Sequence, residues 1–426
     1  MIATLRQRNF GLLWWGGLIS MAGNWMLYIA LPLFVFQMTQ STLATSLMFM
    51  IETLPRIALG SVAGVFVDRW ERKRTMVITN VLMAIGLLPL LLVGSVEWLP
   101  VIYLVGFGQA CISQFFGPAE NAMLPQLVDE EHLVTANALN TLNNNLARLF
   151  GPALGGFAAA WVGLSGVVLL DALTYLICAG LLALISVTSQ PARAAADAAA
   201  VDQSAWTKLW TEWRAGLRLI WQDRVVRTLF GVIALTAVGE GIFGVLFVVF
   251  TNVTLHGGAQ ELGWLMSAQA VGGLLGGLTV GWVARRLAPV PLLAITAVLF
   301  GLGDLLIFNV PLFLPSVPLV AVLFVVVGII SAGFGPSLNT LLQTRVVDEF
   351  RGRVFGAFDT TFSLLALIGM ALAGFLGDIV GPVPVLNIQG IGYVVCGVLM
   401  VALVLPAVRS QAADRAPAAE VVPTAG

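Results

Sequence analysis

Twelve unbroken apolar runs decide what this chain can fold into. They fall at about 10–37, 43–67, 75–95, 99–118, 137–161, 166–187, 227–254, 262–284, 290–310, 317–338, 353–377 and 384–407. A bilayer core is crossed by about 20 apolar residues in helical form. A spanning backbone must also satisfy its own hydrogen bonds, which leaves helices or closed barrels. The runs are continuous rather than alternating, so they predict helices and not barrel strands. Composition removes the water-soluble alternative. With 59% hydrophobic and 10% charged residues, the chain has too little charge to cover a wetted surface.

The longest polar connection separates six runs from six. It predicts an N-terminal six-helix bundle at 1–188, a linker at 189–226, a C-terminal bundle at 227–408 and a disordered tail at 409–426. Within the linker, Trp206, Leu209, Trp210, Trp213, Leu217, Ile220 and Trp221 recur at helical spacing, with Lys208, Arg214 and Arg218 off that stripe. That pattern predicts an amphipathic helix lying in the membrane interface. Nineteen of the 21 Lys and Arg residues fall in loops and tails on one side of the membrane, and only Arg56 and Arg148 lie inside runs. Basic loops stay in the cytoplasm, so both termini are expected there, in a multi-pass protein of the cell membrane. The first run is too long for the core of a signal peptide.

Several function classes have no support in these residues. The net charge of −1 argues against a nucleic-acid partner. Cys111, Cys178 and Cys396 each sit inside an apolar run and read as small buried hydrophobes, not as a disulfide framework or metal site. His132 and His256 fall in loops and no nucleophile constellation accompanies them, so no enzymatic activity, metal or cofactor is expected. A phosphate-binding Gly-x-x-x-x-Gly-Lys-Ser/Thr loop is absent, which excludes ATP as the direct energy source.

The stretch "GSVAGVFVDRWERKR" (60–74) gathers six charges within seven positions between the second and third runs. Its spacing, Gly64-x-x-x-Asp68-Arg69 followed by Arg72, Lys73 and Arg74, resembles the loop signature of the major facilitator superfamily, with Glu71 in place of the usual second glycine. Gly60 and Gly64 are expected to let the second helix pack closely on a neighbour. Asp68, Arg69 and Arg72 would then act as a gating latch that forms in one conformation and breaks in another. "FFGPAENAMLPQLVDEEHLVTANALN" (115–140) and "LARLFGPALGG" (146–156) resemble the drug- and siderophore-exporting branch, which includes macrolide-efflux and enterobactin-exporter-like proteins. Gly151-Pro152-x-x-Gly155-Gly156 matches the tail of that branch's antiporter motif. The resemblance implies an all-α membrane fold of twelve transmembrane helices in two pseudo-symmetric bundles, each built from repeated three-helix units.

Charges stranded at mid-span cost about 2.5–3.5 kcal/mol even on lenient insertion scales, so each is a functional candidate. Glu52 and Arg56 share one face of the second helix. Arg148 needs an acid from another helix, and Glu52 or Asp171 could supply it. Arg56, Arg148 and Asp171 are therefore expected to form intramembrane ion pairs. Glu240 lies about twelve residues into the seventh helix, which the resemblance places on the central cavity, and glycines at 239, 241 and 244 are expected to leave room around it. A carboxyl there can hold a proton and yield it to an arriving cationic substrate. Glu240 and Glu52 are the expected proton-coupling residues. Asp304 falls on the ninth helix, which the resemblance places at the periphery. Asp359 is expected to pair with Arg351 or Arg353.

The expected substrate wall is apolar and aromatic: Trp14, Trp25, Tyr28, Phe107, Phe115, Phe243 and Phe247, with Asn24 and Gln109 as polar handles. Such a cavity suits an amphiphilic organic molecule. The expected function is export of a hydrophobic or amphiphilic small molecule by a monomer, in exchange for protons and through alternating access. The alternatives are a facilitator or symporter for a nutrient or lysolipid, and a membrane receptor that transports nothing.

Overall fold

The computed structural model describes residues 2–67, 69–186, 214, 224–346 and 348–408. Asp68, the tail beyond 408 and, apart from Arg214, the linker helix expected at 206–221 lie outside the described residues.

All regular structure among the described residues is helical. After a short turn at Ile2–Leu5, the N-terminal half comprises α1 (Arg8–Thr39), α2 (Thr42–Val67), α3 (Arg72–Leu87), α4 (Leu99–Met123), α5 (133–162) and α6 (164–183). The C-terminal half comprises α7 (Arg224–Val253), α8 (Ala259–Ala284), α9 (Pro289–Asn309), α10 (Val317–Ser331, resumed at Phe334–Arg345), α11 (Asp348–Val380) and α12 (Pro382–Leu399). Eleven helical stretches are long and apolar enough to cross a membrane, and one of them, Glu130–Ala183, runs for 54 residues. At 1.5 Å per residue it would be about 80 Å long, far more than the ~30 Å of hydrocarbon.

That stretch is two crossings. Gly163, with φ 65° and ψ −173°, breaks the helix, a conformation that suits a residue without a side chain. Both ends of the stretch return to the start of α1. Trp14 donates its indole N–H to the Leu139 carbonyl at 2.9 Å, and the Ser186 amide donates to Asn9 Oδ1 at 3.2 Å. The chain therefore crosses twelve times, as the hydropathy pattern predicts.

Alternate helix ends define a basic end of the molecule, where Arg8, Arg72, Lys73, Arg285 and Arg345 lie, and a far end opposite it. Contact between the halves is concentrated at the far end. There α2 meets α11: Ser46 donates to the Met370 carbonyl at 2.6 Å, and Asp378 accepts from Ser41, Thr42 and Leu43. Beside it α5 meets α8, where the Ala153 amide donates to Ser267 Oγ at 3.1 Å. Gly156 and Gly263 let these two backbones touch, since a Cβ on Gly156 would strike the Ala259 carbonyl and one on Gly263 the Pro152 carbonyl. Without a hydrophobic drive between helices in lipid, such close approach is what makes the contact favourable.

Candidate functional site

Near the middle of the bundle, α1, α2 and α4 surround a cavity of about 460 Å³. Asn24, Tyr28, Glu52, Arg56 and Gln109 line it together, and Met370 of α11 reaches in from the other half. Glu52 rests against Gly106 of α4, where a Cβ would lie 3.2 Å from its Oε1. Gln109 donates to the Met83 carbonyl at 2.8 Å. Trp25 stands behind this wall. It meets Tyr28 edge-on at 5.2 Å and fills the space that Gly151 leaves open.

The remaining aromatics expected on the wall do other work. Trp14 is buried and bonds across to α5. Phe115 stacks on Trp70 at 5.7 Å, and Phe107 is exposed outside the cavity lining. Phe243 stacks on Phe247 at 4.9 Å against an apolar core that joins the C-terminal helices to Ile29, Leu33, Phe36 and Phe49 of α1 and α2. Helical spacing gives the face on which a ring lies, but not whether that face meets cavity, lipid or a neighbour.

The ion pairs expected of Arg56, Arg148 and Asp171 are not formed among the described residues. Both arginines are exposed on the open sides of their helices, so hydration can replace a counter-charge and the burial penalty that demanded a partner is absent. Asp171 is completely buried between α1 and α6. It accepts from Thr174 at 3.2 Å, and its second oxygen has no partner. Arg148 instead lies within reach of the charge of Glu240, across the gap between the halves.

Glu240 accepts a hydrogen bond from the Tyr393 hydroxyl at 2.8 Å, joining α7 to α12. The flanking glycines do not leave it room. Gly241 brings α7 against the Ala366 carbonyl of α11, and Gly239 abuts Gln389; only Gly244 faces open space. Asp304 of α9 is nearly fully buried and within reach of the charge of Glu240, so it belongs to this cluster and not to the periphery. The N-terminal half carries the same arrangement with the chemistry exchanged. There Tyr175 of α6 donates to Asn24 of α1. Asn24 corresponds to Glu240, Tyr175 to Tyr393, Cys178 to Cys396 and Asp171 to Gln389, each pair 216 or 218 residues apart. Each half thus holds one acid and one amide, at swapped positions on equivalent helices.

The charged loop is held to its own half. Arg72 Nη1 donates to the Ala122 carbonyl at 2.9 Å, near the end of α4, and Lys73 donates to the Ile185 carbonyl at 2.7 Å, just past the end of α6. Cations at helix C-termini satisfy carbonyls that the helix leaves open. Glu71, standing where the family has glycine, pairs with Arg74 at 2.5 Å. Arg69 is exposed. The close packing expected of Gly60 and Gly64 is not present: a Cβ on Gly64 would meet nothing within 4 Å, and one on Gly60 only the Gln114 side chain at 3.9 Å. By contrast, Gly151 and Gly155 of the antiporter-like motif press α5 onto α1, while Pro152 and Gly156 press it onto α8.

A second pocket, of about 160 Å³, was not foreseen from the sequence. Glu120 lies on its wall with Asn140, Asn143 and Asn144. Pro118 suggested the end of the fourth helix, yet α4 continues through it to Met123 and keeps Glu120 inside the bundle. Asn140, Asn143 and Asn144, at spacings of three and four, were the available signal.

Two solved transporters share this architecture. The fold matches the nucleoside transporter NupG with a TM-score of 0.74, at 15% identity over 92% of this chain and 99% of that one. It matches a bacterial homologue of the iron transporter ferroportin, solved in an inward-facing state, with a TM-score of 0.71, at 16% identity over 92% and 98%. In sequence, the multidrug efflux pump Tap of Mycolicibacterium fortuitum is 30% identical over 87% of this chain and 89% of its own length. Macrolide efflux protein A of Streptococcus pyogenes is 24% identical over 88% and 90%. The sequence profile of the transmembrane secretion effectors matches residues 1–424, and the chain belongs to that family of the major facilitator superfamily.

Proposed function

We propose that this protein exports hydrophobic or amphiphilic compounds from the cytoplasm in exchange for protons, with its basic end facing the cytoplasm. The observation that carries the reading is the pairing of an aromatic, partly polar cavity in one half with a buried carboxyl cluster in the other. Tyr28 on the cavity wall lies within electrostatic reach of both Glu52 and Glu240. The relatives named as efflux pumps supply the direction of transport, and the one-sided distribution of Lys and Arg supplies the orientation.

In this reading the structure is the cytoplasm-open state of an alternating-access cycle. Substrate enters from the basic end, the far-end contacts part, and the basic ends of α2 and α11 close. Gly60 and Gly64 would then serve the close approach for which they have no neighbour in this state. Glu240 exchanges a proton as Arg148 moves toward or away from it. Each proton entering down 100 mV would supply about 2.3 kcal/mol, besides the pH gradient.

The test is flux of a fluorescent dye in proteoliposomes under an imposed pH gradient. Dye movement should follow the gradient and collapse with a protonophore, and Glu240→Gln should remove the gradient dependence while leaving dye binding measurable. Flux indifferent to the gradient rejects antiport, and gradient-driven uptake would reverse the direction. Unchanged coupled flux in Glu240→Gln transfers the role to Glu52.

A further inference from the structure

The pocket around Glu120 adjoins the larger cavity, and the two share Asn24, Met83, Ser113 and Tyr175 on their walls. It lies wholly in the N-terminal half, between α1, α3, α4, α5 and α6. Its polar groups have an unusual balance. Ser20 donates to the Gly17 carbonyl, Ser113 to Ala110, Asn80 to Met76, Asn143 to Trp14 and Asn144 to Asn140. Tyr175 donates to Asn24. Each of those side-chain amides spends one of its two hydrogens, and none of these donors reaches the Glu120 carboxyl. Asn143 is 5% exposed, and its Oδ1 is buried without any partner. The Glu120 side chain makes neither hydrogen bond nor ion pair among the described residues. Arg72, the nearby cation, is turned to the carbonyl of Ala122.

An unpaired carboxylate and an orphaned buried acceptor are costly unless a donor arrives. A donor that carries more than one hydrogen and a positive charge would serve both groups at once. A volume of about 160 Å³ is several times the ~30 Å³ that one water occupies, so it admits a charged group with carbon attached. We propose that Glu120 and Asn143 form a headgroup subsite for a protonated amine, whose apolar body lies in the adjoining cavity between Tyr28 and Met48. This rests on the export reading above and adds the substrate class: amphiphiles bearing an N–H ammonium.

The probes are dansylcadaverine, which carries a primary ammonium, and its N-acetyl derivative, which keeps the body and loses the charge. Binding to the full chain in nanodiscs is read by fluorescence anisotropy. The wild type should bind the amine at least tenfold more tightly. Glu120→Gln should bring that preference below twofold by weakening the amine alone, and Glu120→Asp should fall between. Equal binding of the two dyes by the wild type, or binding of neither, overturns the proposal. So does a preference that survives Glu120→Gln but is lost in Glu52→Gln, which would place the amine in the larger cavity. Stoichiometric displacement of the amine by sodium would assign the pocket to a metal cation instead. Dye flux coupled to the pH gradient without any amine preference would keep the export reading and reject this one.

Discussion

Two acids at swapped positions of the same helix contact invite a comparison at the level of single residues. Asp171 and Glu240 both lie where α1 or α7 meets its partner helix, but their surroundings differ. Asp171 is fully buried, lines neither pocket, and is served by Thr174 on its own helix. Glu240 is partly accessible and feels Arg148 across the gap. Only the second can respond to movement of the halves. Asp171→Asn should therefore keep at least half of the gradient-coupled flux, with its thermal midpoint within a few degrees of wild type. Loss of coupling as complete as in Glu240→Gln would make the N-terminal acid the carrier. That Glu52, Arg148 and Glu240 were singular was legible in the sequence, because charge in an apolar run is conspicuous. Their partners were not. Pairing across helices depends on rotation and on which faces see water, and so Arg148 was assigned an acid it does not need. Glu120 escaped because Pro118 reads as a stop, although a kinked helix can carry a proline where its neighbours satisfy the freed groups.

Among elements, the helices were the most legible, since run length alone fixes them. The break at Gly163 was marked by Gly163 and Gly166 between two apolar runs, whereas the extension of α10 to Arg345 was hidden by its polar composition. The contacts between α2 and α11 could not be read at all, because they join segments over 300 residues apart. One of them has a clear energetic role. Asp378 accepts from the Thr42 amide at 2.6 Å, the Leu43 amide at 3.2 Å and the Ser41 hydroxyl at 3.0 Å. It caps the start of α2 from the opposite half, with its charge at the positive end of that helix. Removing a cap costs about 0.5–2 kcal/mol, which is roughly a 2- to 30-fold change in an equilibrium. Asp378→Ala should shift the population toward a parted far end by that factor. Spin labels in the loops at 94–98 and 313–316 would report it as a longer distance in double electron–electron resonance. An unaltered distance distribution would show that the cap stabilises α2 without holding the halves together.

For the whole molecule, the question is whether the far end must open for cargo to leave. All five hydrogen bonds named here between the halves, and the tightest backbone approaches, lie in the outer portions of α2, α5, α8 and α11. The exposed Arg56 and Arg148 stand nearer the basic end than those contacts. A carrier of this shape releases cargo on the far side only if those contacts part, since the packed glycines leave no path between the helices. Ala153 and Ser267 are suited to test this, because the amide of one donates to the hydroxyl of the other across the two halves at 3.1 Å. Cysteines at both positions, with Cys111, Cys178 and Cys396 replaced by serine, should cross-link on oxidation. Export should then fall to background and return on reduction, while dye still binds from the basic end. Bending of each half about a fixed far end, without separation, would predict undiminished export from the cross-linked protein. That outcome would reject the alternating-access cycle and leave the helical architecture unchanged.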